Sequence, residues 1–504
     1  MISSILLRSI DFIMKKYLNI FCVVIILAGF ALGIPTGCTQ QQEEESSNPD
    51  RPNIILFVSD DHGTDALGCY GNAVIETPNL DKLATEGTRF NNAYCTSASC
   101  AASRSVILTG KYGHATGSYG HVHDYHHFST FEDVQSLPVL LENAGYLTAR
   151  IGKYHLAPEK VYAFNKVLEA DPRNTVEMAE KCQGVLASDQ PFFLYFCTDD
   201  PHRGAPFQPD PWNAPNDFGN REEGYSGVET KKYDPADVIV PDFLPDTKES
   251  REELAEYYQS VSRIDQGFGK LMDMLEAAGK SENTIVIYIS DNGIAFPGAK
   301  TTLYEPGIKL PCIVKNPTVD SKGITTNAKI SWVDLTPTIL DMAKVDYSST
   351  PFHGRSFKGI LDQENPEGWD EIYASHIFHE ITMYYPMRVH INKNYKLIWN
   401  IAWRFEYPFA SDLWAASTWQ GIYRNKGEYF GQRKVQDYLF RPEFELYDLS
   451  IDPGELQNLA NDDDHKALLE SMKEKMKAFQ KATSDPWMIM WDHDSSMQGT
   501  GVNL

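Results

Sequence analysis

The chain has 504 residues and a formal net charge of −24, from 69 acidic and 45 basic side chains. Its length exceeds one ordinary domain, and a content of 42% hydrophobic residues is typical of a globular protein with a large core. The negative charge argues against binding of a polyanion such as nucleic acid along an open groove. It still allows an anionic substrate in a small, locally basic pocket, and favours binding of a polymer by its end.

The N-terminal segment has the features of an export signal. Lysines precede an apolar run over residues 18–32, and Cys38 follows a glycine as at a bacterial lipoprotein cleavage site. We expect residues 1–49 to be a lipoprotein-type signal with a flexible acidic tether. A plain secretory signal, which would give a soluble protein, is the alternative. Both predict export to the periplasm or cell surface of a bacterium, and a lipid on Cys38 would anchor the protein.

Five apolar runs predict strands of a buried, mostly parallel sheet in an α/β protein: residues 53–58, 147–151, 191–196, 284–289 and 310–314. An amphipathic stripe over residues 252–278 predicts a long helix, which we interpret as part of the core without a role in the site. Short strands after residue 370 predict a small antiparallel sheet. We therefore expect a catalytic domain at residues 50–369 and a C-terminal domain at residues 370–504.

Oxygen-bearing side chains follow two of the predicted strands. Asp60 and Asp61 come after the first strand, and Asp291 and Asn292 come after the fourth. Ligands bind at the carboxyl ends of strands in open α/β sheets, so these side chains are expected to meet. Three carboxylates and an amide oxygen suit Ca²⁺ or Mg²⁺ and not zinc. Alternatively, each Asp only caps a turn.

A thiol lies where a loop of small residues meets a predicted helix. Cys100 is placed at the helix N-terminus, where free backbone N–H groups and the helix dipole favour an anion. Arg104 follows one turn later on the same face. A lone cysteine among alanines and serines is otherwise a buried packing residue. The stretch predicts either a nucleophile that attacks an anion or a structural thiol.

Other polar residues follow the remaining strands. Lys153 would supply a compact cation and His155 a group that accepts a proton near neutral pH. His202 is a candidate general acid, although a structural pair with a neighbouring Asp is the alternative. Lys300 is a second cation near the predicted metal end. Candidate substrate contacts are Asp200, His379, Glu380 and Arg388, the last three within an aromatic run.

The string Cys100-x-Ala-Ser-Arg104, followed by Leu-Thr-Gly, resembles the signature of the type I sulfatases. The resemblance spans about residues 51–492 and is greatest to the sulfamidases, the heparan N-sulfatases. The stretches that carry this closer likeness are residues 123–128, 200–203, 233–238, 290–297, 303–307 and 379–383. It implies an alkaline-phosphatase-like fold, with a mostly parallel sheet between helices and a smaller C-terminal domain built on an antiparallel sheet.

The resemblance also implies a chemistry. A maturase would oxidise Cys100 to formylglycine, whose aldehyde hydrate attacks sulfur. Ca²⁺ would be bound by the modified Cys100 together with Asp60, Asp61, Asp291 and Asn292. The sulfate group would be surrounded by Arg104, Lys153 and Lys300, while His202 protonates the leaving nitrogen and His155 removes a proton from the hydrate. The implied substrate is N-sulfated glucosamine at the non-reducing end of heparin or heparan sulfate fragments.

This sequence departs from the sulfamidase pattern at two positions. Lys300 stands where sulfamidases carry arginine, and Gly204 stands where they carry a cysteine, so that a disulfide is not expected there. The alternatives are an O-sulfatase on another glycosaminoglycan sugar, a phosphoryl or phosphonate hydrolase, and a catalytically silent glycan-binding protein. The oligomeric state stays open, a homodimer included.

Overall fold

The structure is a computed structural model that describes residues 51–204, 215–320 and 322–492. The strands are β1 Asn53–Ser59, β2 Thr88–Tyr94, β3 Leu147–Gly152, β4 Lys166–Leu168, β5 Phe192–Cys197, β6 Thr284–Ser290, β7 Lys309–Leu310, β8 Cys312–Lys315, β9 Ile324–Ser331, β10 Glu371–Phe378, β11 Tyr384–Asn392, β12 Tyr395–Asn400, β13 Tyr429–Phe430, β14 Arg433–Lys434 and β15 Phe444–Asp448.

The α-helices are α1 Pro78–Glu86, α2 Cys100–Thr109, α3 Gly113–Thr116, α4 Leu137–Asn143, α5 Thr175–Lys181, α6 Gln183–Leu186, α7 Lys248–Ala277, α8 Glu305–Ile308, α9 Leu335–Met342, α10 Ser411–Trp414, α11 Ser417–Arg424, α12 Val435–Leu439 and α13 Lys466–Ala482. Short 3-10 helices lie at Thr64–Ala66, Gly68–Tyr70, Ser281–Asn283, Trp332–Asp334, Lys358–Ile360, Asp463–His465 and Pro486–Ile489. Within the described ranges, no helix combines the length and the apolar character needed to cross a membrane.

The large sheet has nine strands in the order β4-β3-β5-β1-β6-β8-β2-β7, with β9 paired to β2. Strands β4, β3, β5, β1 and β6 run parallel to one another, and β8 is antiparallel to both β6 and β2. In register, Val58 of β1 lies beside Cys197 of β5 and Ile289 of β6, and Cys197 lies beside Gly152 of β3. Four parallel strands therefore end at one level, where the polar residues that follow them meet.

Both faces of this sheet are buried. In β1, Ile54, Leu56 and Val58 join one hydrophobic cluster, while Ile55 and Phe57 join the cluster on the other face. Helix α2 contributes to the first cluster and helices α1 and α5 to the second, so helices cover both faces. This explains why the strands read as continuous apolar runs and not as alternating ones.

The predicted fold class is confirmed, including the smaller C-terminal antiparallel sheet, which has the order β10-β11-β12-β15. The predicted strand at residues 310–314 is divided into β7 and β8 at Pro311, which has no N–H to donate to a ladder. The boundary between the two expected domains stays a prediction. The predicted leader and tether, and the end of the C-terminal domain beyond residue 492, lie outside the described residues.

Candidate active site

A buried acidic cluster lies at the carboxyl ends of β1 and β6. Asp60, Asp61 and Asp291 are fully buried, and each offers an oxygen within 4.8 Å of the other two. The amide of Asn292 donates from Nδ2 to Asp61 Oδ1 at 2.5 Å. Asp60 Oδ1 and Asn292 Oδ1 are buried and accept no hydrogen bond from any described residue. Because buried unpaired oxygens are costly, these atoms fit a hard cation, and the predicted ligand set is assembled.

The turn after β1 is held in an unusual conformation. Asp61 has φ 67°, in the left-handed region, which costs about 1–3 kcal/mol for a residue other than glycine. Its carbonyl accepts a hydrogen bond from the Tyr257 hydroxyl at 2.8 Å, and its N–H donates to Asp291 Oδ1 at 3.1 Å. Tyr257 belongs to α7, so this helix positions the site. The interpretation of α7 as core alone is therefore incomplete.

Cys100 faces this cluster. It is the first residue of α2, is fully buried, and has its Sγ 3.8 Å from Asp61 Oδ1. Its sulfur also lies within 4.8 Å of a carboxylate oxygen of Asp60 and a ring nitrogen of His202. Burial raises the pKa of the Cys100 thiol well above its usual range, and the Asp60 carboxylate raises it further. The thiol thus points at polar reacting groups and not into packed hydrocarbon.

Three cations accompany the three carboxylates. Arg104 Nε donates to Asp291 Oδ2 at 2.8 Å, Lys300 Nζ donates to Asp61 Oδ2 at 2.9 Å, and Lys153 Nζ donates to Asp60. Arg104 also has Nη2 3.8 Å from Asp60 Oδ1. With Asp412, a fourth carboxylate that Lys300 contacts at 3.1 Å, these groups leave one excess negative charge before any metal ion binds. A divalent cation would leave the pocket with net positive charge, which is what an anionic substrate requires.

The pKa values of Asp60 and Asp291 reflect the charges that surround them. Burial would raise the pKa of Asp60, but Lys153, Arg104 and Lys300 act together against burial and hold the pKa well below its usual range. Burial, with the charge of Asp60, raises the pKa of Asp291 to about 7, although Arg104 opposes the shift. A buried carboxyl that is difficult to ionise among like charges would gain from an additional cation.

His202 and Lys300 form a hydrogen-bonded pair beside the cluster. The His202 ring donates from Nδ1 to the Arg203 carbonyl at 2.9 Å, which leaves Nε2 to accept from Lys300 Nζ at 2.9 Å. Lys300 also donates to Asp412 Oδ2 at 3.1 Å. Asp412 comes from α10 in the C-terminal part, and sequence reasoning missed it because no local pattern marks it.

Asp200 is at the site but is not available to a substrate. Its side chain is fully buried between Arg173, at 2.7 Å, and Arg263, at 2.6 Å. Its carbonyl accepts a hydrogen bond from the N–H of Asp60 at 3.0 Å. The geometry therefore does not support the predicted substrate contact, and the structural pair with His202 that sequence left open is not formed. Asp200 positions the metal end of β1 instead.

A group of histidines is connected to the residue that precedes Cys100. His155 has φ 55° and its Nε2 lies 2.7 Å from His123 Nδ1. His379 Nε2 lies 3.0 Å from His121 Nε2, and His379 Nδ1 lies 3.0 Å from the hydroxyl of Ser99, the residue before the thiol. The predicted residues His155 and His379 are thus brought together. His121 and His123 were missed as site residues, although they lie in or beside a stretch that carries the sulfamidase likeness.

The last two candidate substrate contacts, Glu380 and Arg388, form their hydrogen bonds outside the acidic cluster. Glu380 is partly exposed and accepts hydrogen bonds at one oxygen from the backbone and hydroxyl of Ser411, at 2.9 and 2.5 Å. Arg388 is 1% exposed and forms a two-bond ion pair with Asp485, at 2.6 and 2.8 Å, while its Nη1 donates to the Met387 carbonyl. The structure does not bring Arg388 into the cluster, because its N–H groups donate to Asp485 and Met387 within the C-terminal part.

Comparison with known proteins agrees with this geometry. The profile of the Sulfatase family matches residues 52–345, and that of the N-sulphoglucosamine sulphohydrolase C-terminal region matches residues 298–411. The chain is 37% identical to human N-sulphoglucosamine sulphohydrolase, over 87% of this chain and 92% of the relative. It is 27% identical to an N-acetylglucosamine-6-O-sulfatase of Bacteroides thetaiotaomicron, over 89% of this chain and 90% of the relative.

Solved structures share the fold. A protein solved in complex with its substrate D-glucosamine-2-N,6-O-disulfate has 23% sequence identity and a TM-score of 0.63, covering 86% of this chain and 99% of that one. A 2-O glycosaminoglycan sulfatase has 18% identity and a TM-score of 0.63, covering 88% and 94%. At these identities the likeness concerns the fold. With the two family profiles and the human relative, it establishes that the chain belongs to the sulfatase family, is a sulfatase, and has an N-sulphoglucosamine sulphohydrolase-type C-terminal region.

Proposed function

We propose that the chain removes the N-linked sulfate from glucosamine residues of heparin or heparan sulfate fragments. The observation that carries the proposal is the 37% identity to human N-sulphoglucosamine sulphohydrolase along nearly the whole of both chains. The match to the C-terminal region named after that enzyme supports it, because the matched residues 298–411 include Lys300, which contacts Asp61 in the pocket.

The residues present fit the two groups that this reaction uses. Ca²⁺ would be held by Asp60, Asp61, Asp291 and Asn292, with residue 100 as a further ligand. A formylglycine made from Cys100 by a maturase would supply the attacking oxygen, and Ca²⁺ would supply positive charge beside it. The orphaned oxygens of Asp60 and Asn292 support the cation, and the burial of Cys100 among carboxylates, where its own thiol stays neutral, supports the modification.

The other polar side chains have separable tasks in this scheme. Arg104, Lys153 and Lys300 lie around the cluster and would neutralise the sulfate oxygens before attack. Lys300 Nζ donates a hydrogen bond to His202 Nε2, and this pair would supply, through His202, the proton that the leaving nitrogen takes. His155 would accept a proton from residue 100.

The burial of these groups favours attack on a chain end. Asp60, Cys100, Arg104 and Lys300 are all fully buried, so an extended polymer could not lie against them. A net charge of −24 would repel the length of a sulfated polymer. A single terminal sugar could reach the buried groups and would be repelled less than the length of a polymer. We therefore propose action at the non-reducing end.

We further propose that the protein is exported and lipid-anchored through Cys38. The apolar run at residues 18–32 and the Gly37-Cys38 pair support this placement. Labelling of the protein by a palmitate analogue in cells, lost in Cys38→Ala, is the expected result. Equal labelling of the variant would place the lipid on another residue, and no labelling of either protein would favour a plain secretory signal.

Substrate preference tests the proposed function. We expect kcat/KM for release of sulfate from N-sulfoglucosamine to exceed that from 6-O-sulfated N-acetylglucosamine by at least about 100-fold, because a site built around one leaving group discriminates strongly against another. Lys300, in place of the sulfamidase arginine, is the feature that favours an O-sulfatase instead. The reverse preference would establish that second candidate and refute the first.

Removal of the metal gives a second test, on stability. We expect Ca²⁺ at 100 times its Kd to stabilise the protein by about 2.7 kcal/mol, seen as a rise in melting temperature that a chelator reverses. The cause is neutralisation of the carboxylates beside the unpaired oxygens of Asp60 and Asn292. In the matched variant Asp291→Asn the rise should shrink strongly. An equal rise in both proteins would place the bound ion elsewhere.

A further inference from the structure

We propose that His121, His123 and His155 form a second metal site, which takes a transition-metal ion of the zinc class and inhibits hydrolysis when occupied. The three residues offer one ring nitrogen each, all within 4.8 Å of one another. Their ring centroids are 4.7–4.9 Å apart. Imidazole nitrogens suit Zn²⁺, Cu²⁺ or Ni²⁺ and not Ca²⁺, so this site differs in chemistry from the acidic cluster.

The environment of His121 is that of a metal ligand. Its Nε2 is held by His379 Nε2 at 3.0 Å, and His379 is held in turn by the Ser99 hydroxyl. Its Nδ1 is buried and has no hydrogen-bond partner among the described residues. A ligating histidine is commonly oriented through its other ring nitrogen in this way, while the free nitrogen faces the ion.

His155 and His123 complete the set from the opposite side. The Nε2 of His155 faces His123 Nδ1 at 2.7 Å, and its Nδ1 is likewise buried and without a described partner. Burial, together with Lys153, lowers the pKa of His155, and burial lowers that of His121 to about 2. Both rings are therefore neutral at neutral pH, and a metal ion would displace no proton from them.

The site has a route of entry. The side chain of His123 is 48% exposed, so an ion in solution reaches it first. Two nitrogens on one tetrahedral zinc, each at 2.0–2.1 Å, lie roughly 3.3 Å apart. The His123 ring must consequently move outward by a few tenths of an ångström from His155, which its exposure allows. Water would provide the fourth ligand.

Occupation of this site would engage the Nε2 of His155. The inhibitory consequence rests on the proposed function, in which His155 accepts a proton from residue 100. The binding of metal does not rest on it, because the three imidazoles are placed by the fold. The two statements can therefore be tested separately.

The binding test uses Co²⁺ as the probe, on the full-length protein in excess Ca²⁺. We expect equilibrium dialysis to give one Co²⁺ per chain, with the visible absorption of tetrahedral nitrogen coordination and no thiolate charge-transfer band. His123→Gln should weaken binding by about tenfold or more, and its exposure makes misfolding no concern. His127→Asn, an exposed histidine of the same loop, is the matched control and should bind as the parent does. Equal binding by His123→Gln, a thiolate band, or no bound Co²⁺ would overturn the proposal.

The activity test uses Zn²⁺ and sulfate release from N-sulfoglucosamine, with each protein referred to its own rate without zinc. We expect the half-inhibitory Zn²⁺ concentration to rise at least about tenfold in His123→Gln and to stay unchanged in His127→Asn. An unchanged value in both variants would overturn the inhibitory role. If Co²⁺ binds at the three histidines but no sulfate is released by any of the proteins, the metal site stands and the proposed function fails.

Discussion

Replacement of Cys100 by alanine or serine is expected to lower sulfate release by roughly 10⁴-fold or more, the scale of loss when an enzyme is deprived of its nucleophile. Cys100 is the one described thiol that reaches the acidic cluster, with Sγ 3.8 Å from Asp61 Oδ1. Alanine cannot be converted to the aldehyde that the proposed reaction uses, and an unmodified serine could attack sulfur once but could not expel sulfate by re-forming an aldehyde. Serine retains an oxygen at this position, so its inactivity would show that a hydroxyl alone is insufficient.

The matched control is Cys95→Ala. Cys95 lies five residues earlier, is equally buried, and packs in the hydrophobic core with its Sγ 3.7 Å from the Gly307 carbonyl. Its loss should cost some stability through a small cavity but leave kcat per folded molecule unchanged. Multiple turnover by Cys100→Ser at the parent rate would contradict the assignment of residue 100 as the nucleophile.

Arg388→Met is expected to lower the free energy of unfolding by about 3–5 kcal/mol, with kcat/KM per folded molecule unchanged. The substitution leaves the Asp485 carboxylate buried without its two charge-assisted hydrogen bonds, at 2.6 and 2.8 Å. Chemical denaturation measures the loss. Arg355→Met, at an exposed arginine stacked on Trp369, should cost no more than about 1 kcal/mol.

The same pair predicts how stability depends on pH. Burial would raise the pKa of Asp485, but hydrogen bonds from Arg388 lower it from 3.8 to about 2. Because the folded-state pKa is lowered, the contribution of the pair is fully present above pH 3.8 and is lost as the pH falls through about 2. It amounts to roughly 2 kcal/mol. A large fall in kcat/KM with no loss of stability in Arg388→Met would instead restore the substrate contact that sequence predicted.

The convergence of the predicted metal ligands with Cys100 could be predicted because local patterns fix their positions. An apolar run followed by Asp60 and Asp61, and another followed by Asp291, are strands whose ends coincide once they pair in parallel. The position of Cys100 follows from a loop of small residues that leads into a helix. In each case the residues that decide the geometry are neighbours in the chain.

Contacts between distant segments could not be predicted in this way. Asp412 reaches Lys300 from 112 residues away, and Tyr257 reaches Asp61 from 196 residues away. Arg388 shows the same limit from the other side. The local sequence around an arginine in an aromatic run is the same whether the side chain contacts a substrate or a distant carboxylate. Here the partner is Asp485, 97 residues later.

The central claim, that residue 100 acts as an aldehyde made from its thiol, is tested most directly by mass spectrometry of the tryptic peptide over residues 90–104 from active protein. This peptide contains both Cys95 and Cys100, so one thiol serves as an internal reference for the other. After alkylation we predict a single alkylated cysteine, at residue 95, and an aldehyde at residue 100 that a hydrazide reagent captures. Two alkylated cysteines in fully active protein would contradict the account.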